Sequence, residues 1–284
     1  MYERVLVEAI KEDHKEIVKL LLKDSRVDPT VNDNFVIKEL CYRGEIELID
    51  LIKVDPRVKL GQQELAIACN KYGNITVVKK LMNEFNIIPS VRSLRNACWS
   101  KDNEIVRLFL KEPTLEKSKK LLFLDACESG NTEIVELLLK VVDPTLEDNS
   151  GLMYACNYNY IDIVKLLLAD NRIDPNEYPE DCGGSDEYEI YAEPIRLACW
   201  VGNIDIVKLL LEDSRVDLSS RHDTLEISCR KGYIDIVRLI LADSRIDPSL
   251  HNNFALKLAK KENHTEIVNL LLSDPRVKAV DDSV

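Results

Sequence analysis

Nine times along this chain an Ile-Val pair, or a close variant of it, is followed by x-L-L-L or a similar leucine-rich run. The spacing of those pairs restricts the fold more than any other feature. The second member falls at Val18, Ile49, Val78, Val106, Val135, Val164, Val207, Val237 and Val268, which gives intervals of 31, 29, 28, 29, 29, 43, 30 and 31 residues. Self-similarity at such a period marks an array of stacked supersecondary units. The one long interval places an insertion of roughly 13 residues between the sixth and seventh units. A length of 284 residues exceeds an ordinary compact core, and the periodicity favours one array over two globular domains.

Two further registers define the unit. Twelve positions before the anchor (thirteen in the third repeat) stand Leu6, Ile37, Leu65, Leu94, Phe123, Leu152, Ile195, Leu225 and Leu256, all large and apolar. Three residues on come Ala9, Leu40, Ala68, Ala97, Ala126, Ala155, Ala198, Ser228 and Ala259, nearly all small. A large apolar residue with a small one at i+3 describes a helix face pressed closely on its neighbour. Five residues before the anchor lie Gly44, Gly73, Gly130, Gly202 and Gly232, with Asn159 and Asn263 in two other repeats. Gly and Asn accept the left-handed backbone that ends a helix. Asn74, Asn131 and Asn203 follow as expected N-caps of a second helix. The unit therefore reads as a first helix such as Leu152 to Tyr158, a tight turn, and a second helix such as Ile161 to Ala169. A return segment, commonly D-S-R-V/I-D-P as in Asp24 to Pro29, then turns the chain at its Asp-Pro step. Leu166 is expected in the core of a central unit.

The stretch from Glu193 to Val207, E-P-I-R-L-A-C-W-V-G-N-I-D-I-V, resembles the ankyrin signature T-P-L-H-x-A-A-x-x-G-H-x-E-I-V, and the resemblance covers essentially the whole chain. It implies an all-α solenoid of about nine helix-turn-helix repeats over residues 1–284, read as one domain. The T-P-L-H half is degenerate, Pro194 being its only proline, and the mean period of about 30 is shorter than the roughly 33 of ankyrin. Irregular loops are therefore expected where ankyrin repeats carry β-hairpins. The D-x-R-V-D-P loop also resembles divergent ankyrin arrays of protists and their large DNA viruses, whose setting would be host cytoplasm.

Seven of the eight cysteines, Cys41, Cys69, Cys98, Cys127, Cys156, Cys199 and Cys229, occupy a single register one residue past the small position. They read as a row of small core residues and not as a metal site, since successive helices near 10 Å apart keep thiols from converging on one ion. Reduced thiols in turn favour an intracellular location, cytoplasmic or nuclear. Ile10 and Lys260 fill that register in the first and last units, and Lys260 suits the polar outer face of a terminal repeat. His14 and His264 sit in the turn, His222 and His251 in return loops, and no G-x-S-x-G, H-E-x-x-H or phosphate-cradling loop is present. Neither catalysis nor a cofactor is expected.

A net charge of -12 opposes general affinity for nucleic acid or anionic membranes. No apolar run approaches the length of a membrane span, and acids within the first eight residues argue against a signal peptide. Met1 falls just before the first expected helix, which predicts little sequence missing at that end.

The resemblance implies that a partner protein is engaged through the inter-unit loops and the two residues just before each turn. Those positions hold both tryptophans of the chain. Because Trp, Tyr and Arg dominate binding energy, the candidate partner-binding residues are Tyr42, Arg43, Trp99, Tyr158, Trp200 and Arg230. The other reading of these aromatics, that each lies over the adjoining helix, stays open. The insertion, roughly Glu177 to Glu193, carries seven acids and no Lys or Arg; it reads as a mobile loop or as a dock for a basic partner. The chain is thus expected to be a monomeric, non-enzymatic scaffold or adaptor for another protein. A purely structural spacer array is the alternative.

Overall fold

A computed structural model describes residues 2–70, 74–100, 103–177, 193–218 and 223–281. Most of the acidic insertion, with Cys182, lies outside the described residues, as do Gly73 and His222. Among the described residues every regular element is helical and there is no strand. The chain divides into two compact units, Met1–Leu138 and Leu139–Val284.

In the first unit, α1 (Tyr2–Lys11) pairs with α2 (Lys15–Leu22) and α3 (Val31–Arg43) with α4 (Ile46–Ile52). The pairs α5 (Gln62–Ala68) with α6 (Ile75–Phe85), α7 (Val91–Trp99) with α8 (Asn103–Phe109), and α9 (Lys119–Ser129) with α10 (Thr132–Leu138) follow. A short 3-10 helix, Pro113–Ser118, leads into α9. In the second unit, α11 (Leu146–Asn157) pairs with α12 (Ile161–Leu168), and α13 (Pro194–Val201) with α14 (Ile204–Glu212). The array continues through α15 (Asp223–Lys231) with α16 (Ile234–Ala242) and α17 (Leu250–Lys261) with α18 (Thr265–Ser273). A further helix, α19 (Pro275–Asp281), packs on the last pair and buries Val277. Pro275 opens that helix, where its missing N–H costs nothing.

The registers form the core. The nine large apolar residues of the first helices are all buried, as are the nine residues three positions after them, eight of them small, and the seven cysteines. Eight of the nine anchors are buried, Val268 being half-buried. Each buried Val, Leu or Ile contributes about 1.5–3 kcal/mol of transfer free energy, and the small row lets consecutive first helices approach closely. Leu166 is only half-buried; its neighbour Leu167, one step around the helix, has no exposed surface. Lys260 is exposed, as a terminal repeat requires. At the other end Val5 and Ile17 are 47% and 45% exposed, although the residues in their registers in the later repeats are buried.

The turns between paired helices use positive φ at Gly44, Gly130, Gly202 and Gly232, and also at Asp13, Asn159 and Asn263. Asn74 caps its helix, its Oδ1 accepting from the N–H groups of Thr76 and Val77 at 3.1 Å. Asn203 does not cap. Its Nδ2 donates to the carbonyl of Cys156, one repeat back, at 2.8 Å, whereas Asn131 does both, its Oδ1 accepting from the Ile134 N–H at 3.4 Å and its Nδ2 reaching the carbonyl of Cys98 at 3.3 Å. A carbonyl at a helix C-terminus has no partner within its own helix, which is why these amides turn backwards.

The return loops are more ordered than the sequence suggested. In Asp28-Pro29-Thr30 the Asp28 carboxylate accepts from the Thr30 N–H and hydroxyl at 2.9 and 2.7 Å, and Asp247 holds Ser249 in the same way. Three successive left-handed residues follow within the bounds of the next helix and kink its first turn, Asn32 to Asn34 in α3 and His251 to Asn253 in α17. Asn and Asp visit this conformation at the least cost after glycine.

Each D-x-R segment after the first also forms a clasp. Arg245 is bound by its own Asp243 and donates to the carbonyls of Leu211 and Val216 in the preceding repeat at 2.7 and 3.1 Å. Arg215 does the same to Leu168 and Ile173, and Arg172 to Leu139 and Val142. Arg57 reaches Val27 at 2.8 Å and Arg276 reaches Ile246 at 2.9 Å. The planar fork lets one side chain meet a carboxylate and two carbonyls together. Arg26, in the first repeat, instead lies over the ring of Tyr2 at 5.3 Å.

Candidate protein-binding surface

The candidate residues lie where a first helix runs out into its turn. The helix buries its large, small and cysteine registers, so the next residues must face away from the core. Within the first unit Tyr42 is 43% and Trp99 52% exposed, and within the second Tyr158 is 48% exposed. The Tyr158 ring centroid stands 6.0 Å from that of Tyr160.

The other three candidates are engaged by neighbours. Arg43 donates to Glu39 Oε1 at 2.7 Å and to Asp13 Oδ1 at 3.4 Å, and the Glu39 carboxylate holds its guanidinium above the ordinary arginine value. Trp200 is half-buried, with the Lys231 ammonium 3.2 Å from its ring centroid. Arg230 is exposed, and its carbonyl is hydrogen-bonded by His264 Nε2 at 3.1 Å. Lys231 lies in the same two-residue slot as Arg230, just before the turn of the following repeat, but it was not among the candidate residues.

Two ion pairs that the repeat pattern does not indicate lie on the first helices. Arg95 Nε donates to the buried Asp125 at 3.0 Å, and burial pushes the Asp125 carboxyl up in spite of that cation. The buried Arg196 pairs with Asp223. Neither arrangement supplies a nucleophile beside a base. The cysteine row is equally unreactive in character: burial pushes the Cys41, Cys199 and Cys229 thiols up to about 12, and those of Cys69, Cys98, Cys127 and Cys156 upward as well. A thiol so shifted is protonated at neutral pH, whereas the thiolate is the reactive and metal-binding form. Among the described residues no three His, Cys, Asp or Glu side chains are grouped to hold a metal ion, and no helix is long and apolar enough to cross a membrane.

Stacked helix-turn-helix pairs with buried small residues, left-handed turns and outward first-helix ends define a helical-repeat protein. A family description of ankyrin repeats in three copies matches residues 65–178 and 193–281, and the chain belongs to the ankyrin-repeat family. The search of curated proteins found no match.

Proposed function

We propose that this chain is a non-enzymatic scaffold that holds another protein against the exposed ends of its first helices. The observation that supports this reading is the exposure of Tyr42, Trp99 and Tyr158, in the two-residue slot before the turn, where the fold does not need an aromatic ring. Ankyrin repeats generally mediate protein–protein interaction. A preformed helical surface loses little ordering entropy when a partner docks. The negative net charge favours a protein over a nucleic acid as partner, and the unpaired, buried thiols suit a monomer working inside the cell, in cytoplasm or nucleus.

Affinity capture with Trp99→Ala and Tyr158→Ala tests the assignment, with circular dichroism to verify that helical content is kept. Partners present with the unaltered chain are expected to be lost from at least one variant. An identical partner set for both would retire the surface in favour of the spacer reading, which the engaged states of Arg43 and Trp200 favour at their own positions.

A further inference from the structure

We propose that the open face of Trp99 is a binding site for a lysine side chain carried on a basic segment of the partner protein. The inference rests on the scaffold reading and names the chemistry its partner must bring.

Trp99 and Trp200 occupy one register, each five residues after the large apolar residue of its first helix, Leu94 and Ile195. At Trp200 the following repeat contributes Arg230 in the same register and Lys231 one residue beyond. The ammonium of Lys231 sits 3.2 Å from the indole centroid, so the repeat scaffold itself displays a cation over an indole at this position. The negative face of the indole quadrupole makes that contact attractive.

At Trp99 the same two registers hold different residues. Ser129 stands in place of Lys231, is too short to cover a ring, and turns its hydroxyl back to the carbonyl of Ala126 at 3.2 Å. Glu128 stands in place of Arg230 and is half-buried, and among the described residues it makes no ion pair. Trp99 is 52% exposed, and no described ring or cation lies on it. The nearest cation along its own helix, Arg95 one turn earlier, is occupied by Asp125 at 3.0 Å.

At Trp200, then, the cation is built in and the indole is covered. At Trp99 the cation is missing, the indole is open, and the flanking charge has changed from positive to negative. An incoming ammonium restores at Trp99 the arrangement that Trp200 has already, with Glu128 adding attraction that an apolar or acidic group would not gain. The chain's net charge of -12 steers a basic segment towards it.

The indole N–H resonances of the intact chain provide the test, titrated with N-acetyl-lysine amide and, in parallel, with its uncharged counterpart N-acetyl-norleucine amide. The Trp99 signal is expected to move saturably with the lysine compound and to respond about 5- to 30-fold more weakly to norleucine. The Trp200 signal should stay in place, because Lys231 already fills its site. In Ser129→Lys the Trp99 signal should start at the shifted position and respond no further, and Glu128→Lys should abolish the response. Equal responses to lysine and norleucine, or a Trp99 signal that lysine does not move, would overturn the proposal. That failure is distinct from failure of the scaffold reading, which is scored by partner capture and not by ligand titration.

Discussion

A methyl group placed on the Cα of Gly202 would lie 2.7 Å from Cζ of Tyr233, the ring that the next repeat leans against this turn. Gly202 also has a φ of 87°, so an alanine there meets both the ring and the left-handed backbone. Gly202→Ala is expected to cost at least about 1–2 kcal/mol from the backbone alone. Thermal unfolding of Gly202→Ala, Tyr233→Ala and the double variant separates the parts: a positive coupling reports the ring clash, and strict additivity would show that the ring simply moves aside.

Removing a clasp should loosen one boundary between repeats. Arg245→Ala deletes the bonds to Leu211 and Val216 and leaves Asp243 without its cation. A loss of about 1–2 kcal/mol is expected for charge-assisted bonds at a half-exposed site. Arg245→Lys should recover little of it, since an ammonium lacks the planar fork. Urea titrations of the three chains decide the matter.

The same clasps predict acid lability. The carboxyls of Asp55, Asp170, Asp213, Asp243 and Asp274 are held below their ordinary value, first of all by hydrogen bonds from their arginines, and that of Asp24 falls to about 2. Groups depressed in the fold contribute fully above the ordinary aspartate value of about 4, and the contribution is lost as pH falls through the lower, folded-state values. Stability should therefore decline from about pH 4 downwards, and Arg245→Ala should make the decline shallower. Asp125, raised by burial, works in the opposite sense. A stability profile measured by urea from pH 7 to pH 2.5 that stayed flat would count against the clasps.

Leu167→Ala should cost about 2–5 kcal/mol through the cavity it opens, and Leu166→Ala distinctly less. The first residue is fully buried and the second half-buried. Chemical denaturation of both variants is sufficient, and equal losses would show that the helix is turned differently from this description.

The sequence disclosed what repeats. The buried rows led by Leu6, Ala9 and Cys41, and the turn residues from Gly44 to Asn263, were legible because nine aligned copies average away the noise of any one helix. Features that join different copies were hidden. Nothing local to Asp243-Ser244-Arg245 indicates that its guanidinium will meet Leu211, because that requires the position of the return loop beside an earlier helix end. The left-handed run from Asn32 to Asn34 likewise depends on loops whose packing the period does not encode. Leu166 was misplaced because a leucine triplet leaves the rotation of the helix unresolved by one residue. Trp99 and Trp200 looked equivalent from their own repeats, and they differ through Ser129 and Lys231, about thirty residues further on.

The clasps bear on how such a chain changes length. Each one is supplied complete, acid and base together, by a single return loop, and what it seizes in the repeat before is main chain, which any sequence provides. A duplicated or deleted copy therefore finds a working joint at once, with no matching substitution required next door. The joint also runs one way only, so the copies can be multiplied or lost but never reversed, and variation is left free to gather on the outward ends of the first helices.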